Sequence, residues 1–122
     1  MTGVLEGVRI LDFGRYIAGP WCGGLLADLG AEVIRIDKVG GGEDRFVVPL
    51  TDEGDGAMYQ QMNRNKRGMT LNLKDESARE VLAELLRDGD VVIDNFKLGT
   101  MAKFGFDDAW YEANAPKIVR AS

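Results

Sequence analysis

Residues 5–37 read LEGVRILDFGRYIAGPWCGGLLADLGAEVIRID, and this stretch decides the fold. Val8, Ile10 and Leu11 form a short apolar run, as in a parallel strand buried on both faces. A Gly/Pro turn follows, and Pro20 suits the first turn of a helix, where its missing N–H costs nothing. Trp21, Leu25, Leu26 and Leu29 recur at near-helical spacing, and Gly30 supplies a left-handed stop. Val33 to Ile36 is a second strand. The unit is βαβ, and its right-handed crossover places the helix N-terminus at the carboxyl end of the first strand, where open α/β sheets bind ligands.

Outward from this unit the pattern continues. Residues 38–56 are Gly-rich and charged without a clear period, a loop long enough to expect a functional role. Residues 57–62 suit a short helix, residues 63–68 a turn, and the alternation of Met69 to Leu73 a third strand. Asp75 is a plausible N-cap for a helix carrying Ala78, Val81, Leu82, Leu85 and Leu86 on one face, closed by Gly89. Asp90 to Asp94 is a fourth strand, with helical turns expected around 100–104 and 108–113. Lys117 to Ser122 has the look of a fifth strand, with the chain stopping inside it. The expectation is an α/β, Rossmann-like, open and mostly parallel sheet with flanking helices. It forms one domain over residues 1–122, incomplete at its C-terminal end and so the front part of a longer polypeptide.

Composition prunes the chemistry. The 122 residues hold no histidine and one cysteine, which excludes Ser-His-Asp and Cys-His machinery, histidine-ligated zinc, internal disulfides and thiolate clusters within this chain. A formal net charge of −5 argues against a nucleic-acid partner, because phosphate binding needs a basic field. No apolar run approaches a membrane span and no signal-peptide pattern opens the chain, so a soluble, cytoplasmic protein is the expectation.

Local motifs narrow it further. Asp37 ends the second strand, where a dinucleotide's ribose would meet a carboxylate, but Gly14 and Gly19 flank Arg15 to Ala18 and no G-x-G-x-x-G exists. Gly40-Gly41-Gly42 runs into acids rather than into Lys-Ser/Thr, so there is no Walker A loop. Asp12-Phe13-Gly14 matches a kinase tripeptide without its companion motifs. Cys22, lacking a base, is expected to be a small buried residue. Gly23-Gly24 inside a helix costs roughly 1 kcal/mol per residue against alanine, so either the neighbouring backbone or a ligand must approach closely. Lys38, Lys74 and Lys97 follow strands two, three and four. They would converge on the ligand-binding edge, which suggests a polyanionic ligand such as a nucleotide phosphate.

Several blocks together resemble a known family: Leu5 to Phe13, Ala18-Gly19-Pro20, Leu26 to Ile36, Asn63-Arg64-Asn65-Lys66-Arg67, Leu71 to Lys74 and Asp94 to Thr100. They are similar, in order and over nearly the whole chain, to the N-terminal segment of class III CoA-transferases, the family of formyl-CoA and carnitine CoA-transferases with α-methylacyl-CoA racemase as a relative. The resemblance implies a coenzyme A-binding domain in an interlocked homodimer, acting on an acyl-CoA and a carboxylic acid acceptor without a metal. It also implies an aspartate that forms a mixed anhydride and then an enzyme-bound CoA thioester. That aspartate would lie beyond Ser122, so no catalytic residue is assigned here, and Asp12, Asp37 and Asp94 do not correspond to it.

By the same resemblance, Ile17 and Ala18 touch CoA near its thioester end through their backbone, and Lys38 meets the nucleotide phosphates with charge but without arginine's fork. Leu71, Asn72, Leu73 and Lys74 flank the adenine and phosphate. Asn95, Phe96 and Lys97 form a second wall, and Lys103 adds a cation. Leu98 stands where a proline is usual. Two other readings stay open: a non-catalytic nucleotide- or CoA-binding module, and a racemase-like enzyme fragment using downstream acid/base residues.

Overall fold

A computed structural model describes residues 3–122. Five strands form one sheet: β1 (Arg9–Asp12), β2 (Glu32–Asp37), β3 (Arg67–Thr70), β4 (Val91–Ile93) and β5 (Val119–Ala121). All pairings are parallel, in the order β3-β2-β1-β4-β5. Strand order reverses between β1 and β4, so a crevice is expected outside their carboxyl ends. Among the described residues, five α-helices and one 3-10 turn (Glu43–Phe46) connect the strands: α1 (Ala18–Asp28), α2 (Ala57–Met62), α3 (Glu76–Asp88), α4 (Thr100–Lys103) and α5 (Asp108–Asn114). No helix among the described residues is long and apolar enough to cross a membrane.

The sheet is covered on both faces, as its apolar strands require. On one face Leu11, Ile36 and Val92 pack with Leu82 and Leu86 of α3, Met101 of α4 and Tyr111 of α5. Leu82 and Leu86 are fully buried, a stabilisation of about 2 kcal/mol each. On the other, Ile10, Val33 and Ile93 meet Ala27 and Ala31.

Local boundaries follow packing more closely than pattern. β3 starts at Arg67 rather than Met69, because its ladder with β2 runs from Ile34↔Arg67 to Asp37↔Thr70. Leu71 and Leu73 leave the sheet as a loop. Val81 faces solvent, and the buried stripe of α3 narrows to Leu82 and Leu86. Asp75 stands at the start of α3, but its carboxylate accepts from Asn72 Nδ2 and caps no helix amide. Gly89 is extended (φ −88°, ψ 151°), so it closes α3 by running straight into β4 rather than by a left-handed turn. Gly30, by contrast, has the expected positive φ of 100°.

The helix α1 inverts the usual amphipathic arrangement. Its buried residues are Gly19, Pro20, Gly23, Gly24 and Ala27, while Trp21, Leu25 and Leu29 are 40–48% exposed and Cys22, expected to be buried, is exposed. The reason lies beneath the helix. Lys66 Nζ donates to Asp12 Oδ2 (2.6 Å), to the Pro20 carbonyl (2.7 Å) and to Asn63 Oδ1 (2.8 Å). A Cβ on Gly23 would lie 2.8 Å from Asp12 Oδ2, and one on Gly24 would lie 3.0 Å from the Met62 carbonyl. The close approach that the paired glycines demanded is therefore made by a buried ion pair and a backbone carbonyl. Small residues must face inward, and the large ones turn outward.

Gly23→Ala separates the two influences on this helix. Propensity alone would stabilise α1 by about 1 kcal/mol, whereas crowding of the ion pair is expected to destabilise the protein by about 2 kcal/mol, measurable as a lower urea midpoint.

Candidate functional site at the carboxyl edge of the sheet

The loops that leave β1, β2, β3 and β4 enclose a cavity of ≈ 290 Å³. Its apolar walls are Phe13, Ile36, Leu71, Leu73, Phe96 and Phe104, and Arg15, Lys38, Lys74, Asp37, Glu43, Asn72 and Thr100 supply the polar lining. Phe13 and Phe96 meet with ring centroids 6.2 Å apart. An apolar slot with cations around it suits a flat, anionic organic ligand.

The walls contributed by the ends of β1, β2 and β4 are held by identifiable contacts. Arg15 follows the central strand, and its guanidinium donates to the carbonyls of Phe13, Gly14 and Ile36 (2.9–3.2 Å). It lies 3.1 Å from Asp37 Oδ1 and 5.6 Å from the centre of the Phe96 ring. One planar fork thus ties the ends of β1 and β2 to the β4 loop. Tyr16 adopts a left-handed backbone (φ 61°), a conformation that costs a non-glycine residue roughly 1–2 kcal/mol. Two distant side chains hold that turn. Asn95 accepts from the Arg15 N–H (2.7 Å) and donates to its carbonyl (2.8 Å), and Asp44 accepts from the Tyr16 N–H (3.0 Å). Asp44 is itself buried against Arg35 (2.9 Å). Burial opposes the charge on Arg35, but hydrogen bonding to Asp37 and the charges of Asp37 and Asp44 outweigh it and hold the guanidinium above its ordinary value. At the rim Lys38 Nζ pairs with the Glu43 carboxylate, and that hydrogen bond holds Glu43 below the usual carboxylate range.

The sequence-derived residues fall into three groups. Lys38, Leu71, Asn72, Leu73, Lys74 and Phe96 line the cavity together. Lys97 lines an adjoining groove of ≈ 490 Å³ that shares Phe96 and Thr100 with it, and Asn95 braces the β1 turn. Ile17, Ala18 and Lys103 are exposed outside the cavity lining, the first two at the start of α1 and the last at the end of α4. Phe13, Arg15, Ile36, Glu43, Thr100 and Phe104 line the cavity without having been singled out for it, and Asp37, weighed only as a ribose carboxylate, lines it too. Arg15 carried a usable signal, since it lies three residues past the end of the central strand, on the ligand edge. Phe104 carried none, because its place depends on how α4 docks. Asp37 is bound by Arg35 Nε (3.1 Å) and Nη2 (3.2 Å), an arrangement unlike the ribose-binding carboxylate of a dinucleotide fold.

A model of CoA-transferase family III matches residues 5–122. The chain belongs to that family. It is 42% identical, over 98% of its length, to a succinyl-CoA:mesaconate CoA-transferase of Haloarcula marismortui and covers 31% of that relative. It is 40% identical to a formyl-CoA:oxalate CoA-transferase of Bradyrhizobium sp., covering all of this chain and 29% of the relative. A crystal structure of a CAIB/BAIF family protein from Brucella suis superposes with a TM-score of 0.91 at 35% identity, over 98% of this chain and 33% of the other. The chain therefore spans about a third of the length of the relatives it matches.

Asn95→Ala tests the brace of the β1 turn. Losing both bonds to the Arg15 backbone is expected to lower the unfolding free energy by about 2 kcal/mol, read from urea denaturation.

Proposed function

We propose that this chain is the CoA-binding portion of a CoA-transferase that moves CoA from an acyl-CoA to a carboxylic acid. The observation that carries the reading is the cavity at the carboxyl edge, in a chain of this family, with aromatic and aliphatic walls and with Lys38 and Lys74 in its lining. In this reading the adenine ring slides between Leu71, Leu73 and Phe96, and the ammonium groups meet the phosphates. Lys97, in the adjoining groove, extends the cationic surface along the same edge. Ile17 and Ala18, beside the braced turn, lie where a pantetheine arm leaving the cavity could run towards a thioester.

The transfer chemistry is assigned to an aspartate outside these 122 residues. Within the cavity both carboxylates are already paired, Asp37 with Arg35 and Arg15 and Glu43 with Lys38, so neither is offered as the nucleophile. The apolar outer face of α1, with Ile17, Trp21, Leu25 and Leu29 exposed, supports the further proposal that this face is covered in a full-length, homodimeric enzyme.

Calorimetric titration with CoA and with adenosine tests the reading. Phe96→Ala is expected to weaken both ligands about tenfold, the size of one lost base-stacking contact. Lys38→Ala with Lys74→Ala is expected to weaken CoA about tenfold and flatten its salt dependence, leaving adenosine unchanged. Equal loss of both ligands in the lysine variant would remove the phosphate assignment.

A further inference from the structure

The geometry points to Glu43 as a specificity-determining residue, an internal anion seated on Lys38 that ligand phosphates must displace or share. This rests on the cavity being the CoA site. Three features support it. First, Glu43 and Lys38 both line the cavity and pair with each other across its rim, so the carboxylate occupies the cation assigned to phosphate. Second, the backbone carrying Glu43 is anchored: its neighbour Asp44 is 1% exposed and holds Arg35 Nη2 (2.9 Å) and the Tyr16 amide (3.0 Å). The Glu43 main chain therefore stays at the rim when a ligand enters, and only its side chain can swing away. Third, the side chains of Lys38 and Glu43 are 59% and 61% exposed, so the pair contributes little stability and can open readily.

The consequence is selection by charge. A ligand with one weak anionic group gains little from a lysine that is already neutralised. A polyphosphate that also reaches Lys74 gains enough to displace the carboxylate, yet still feels its repulsion at a few ångströms. Removing that charge should tighten CoA by about three- to tenfold at low ionic strength, with the gain shrinking as salt is added.

The test is a double-mutant cycle on the protein, titrated calorimetrically with CoA and with adenosine. Glu43→Gln is expected to bind CoA about three- to tenfold tighter and adenosine unchanged, and in a Lys38→Met background the gain should vanish or fall to the residual repulsion alone. CoA binding by the unmodified protein with an unchanged or weaker affinity in Glu43→Gln would overturn the role of Glu43 and leave the site standing. An equal gain for adenosine would overturn it as well, since the effect would not be electrostatic. Failure of the unmodified protein to bind CoA would overturn the site and this inference together.

Discussion

The ion pair between Lys66 and Asp12, whose side chains are 2% and 0% exposed, is the constraint on which the rest of the structure depends. Burial pushes the Lys66 ammonium below its ordinary value against the pull of Asp12, and the pair is sustained by its remaining hydrogen bonds, from Lys66 to Pro20 and Asn63 and from the Gly14 N–H to Asp12 Oδ1. Among the described residues no buried side-chain nitrogen or oxygen lacks a partner. Through Asn63 the pair continues into Arg35, and from there to Asp37 and Asp44. One connected network of charges and hydrogen bonds thus joins the central strand, the first helix, the second strand, the loop that carries Asp44 and the turn that carries Asn63 and Lys66. Removing one member would strand the others in a low-dielectric interior, at a cost of about 3–5 kcal/mol.

The glycines of α1 follow from that network, and so does the cavity. With small residues facing the sheet, the helix can sit on the ion pair, and its first turn comes close to Gly14: a Cβ there would lie 2.7 Å from Gly19 Cα. The Arg15-Tyr16 turn is pinned by Asp44 and Asn95, which leaves the Arg15 guanidinium to join two strand ends and stack beside Phe96. Walls assembled in this way are braced by the protein's own contacts, which under the proposed reading reduces the ordering that binding must impose.

The βαβ unit was legible because apolar runs, a Gly/Pro turn and helical spacing agreed over residues 5–37. The strands after it were legible for the same reason, and five parallel strands are present. Lys38 and Lys74 were legible from strand order, since position after a strand in a parallel sheet dictates the edge, whereas Leu71 to Leu73 and Phe96 were reached only through the family resemblance. Burial was harder to read. Trp21, Leu25 and Leu29 follow a core-like period yet face outward, because what decides the facing is an ion pair between Asp12 and a lysine 54 residues further along the chain. Asn95 offered the same difficulty: its residue type suits ligand contact, but its amide group matches the Arg15 peptide 80 residues earlier. Contacts of such sequence separation leave no local pattern.

The central claim is that the carboxyl-edge cavity receives the nucleotide end of CoA. Amide chemical-shift mapping during a CoA titration tests it most directly. The account predicts the largest shifts at Lys38, Leu71 to Lys74, Phe96 and Thr100, with small ones at α5. Shifts concentrated instead around Tyr111, Ala115 and Arg120, or none at saturating CoA, would contradict it.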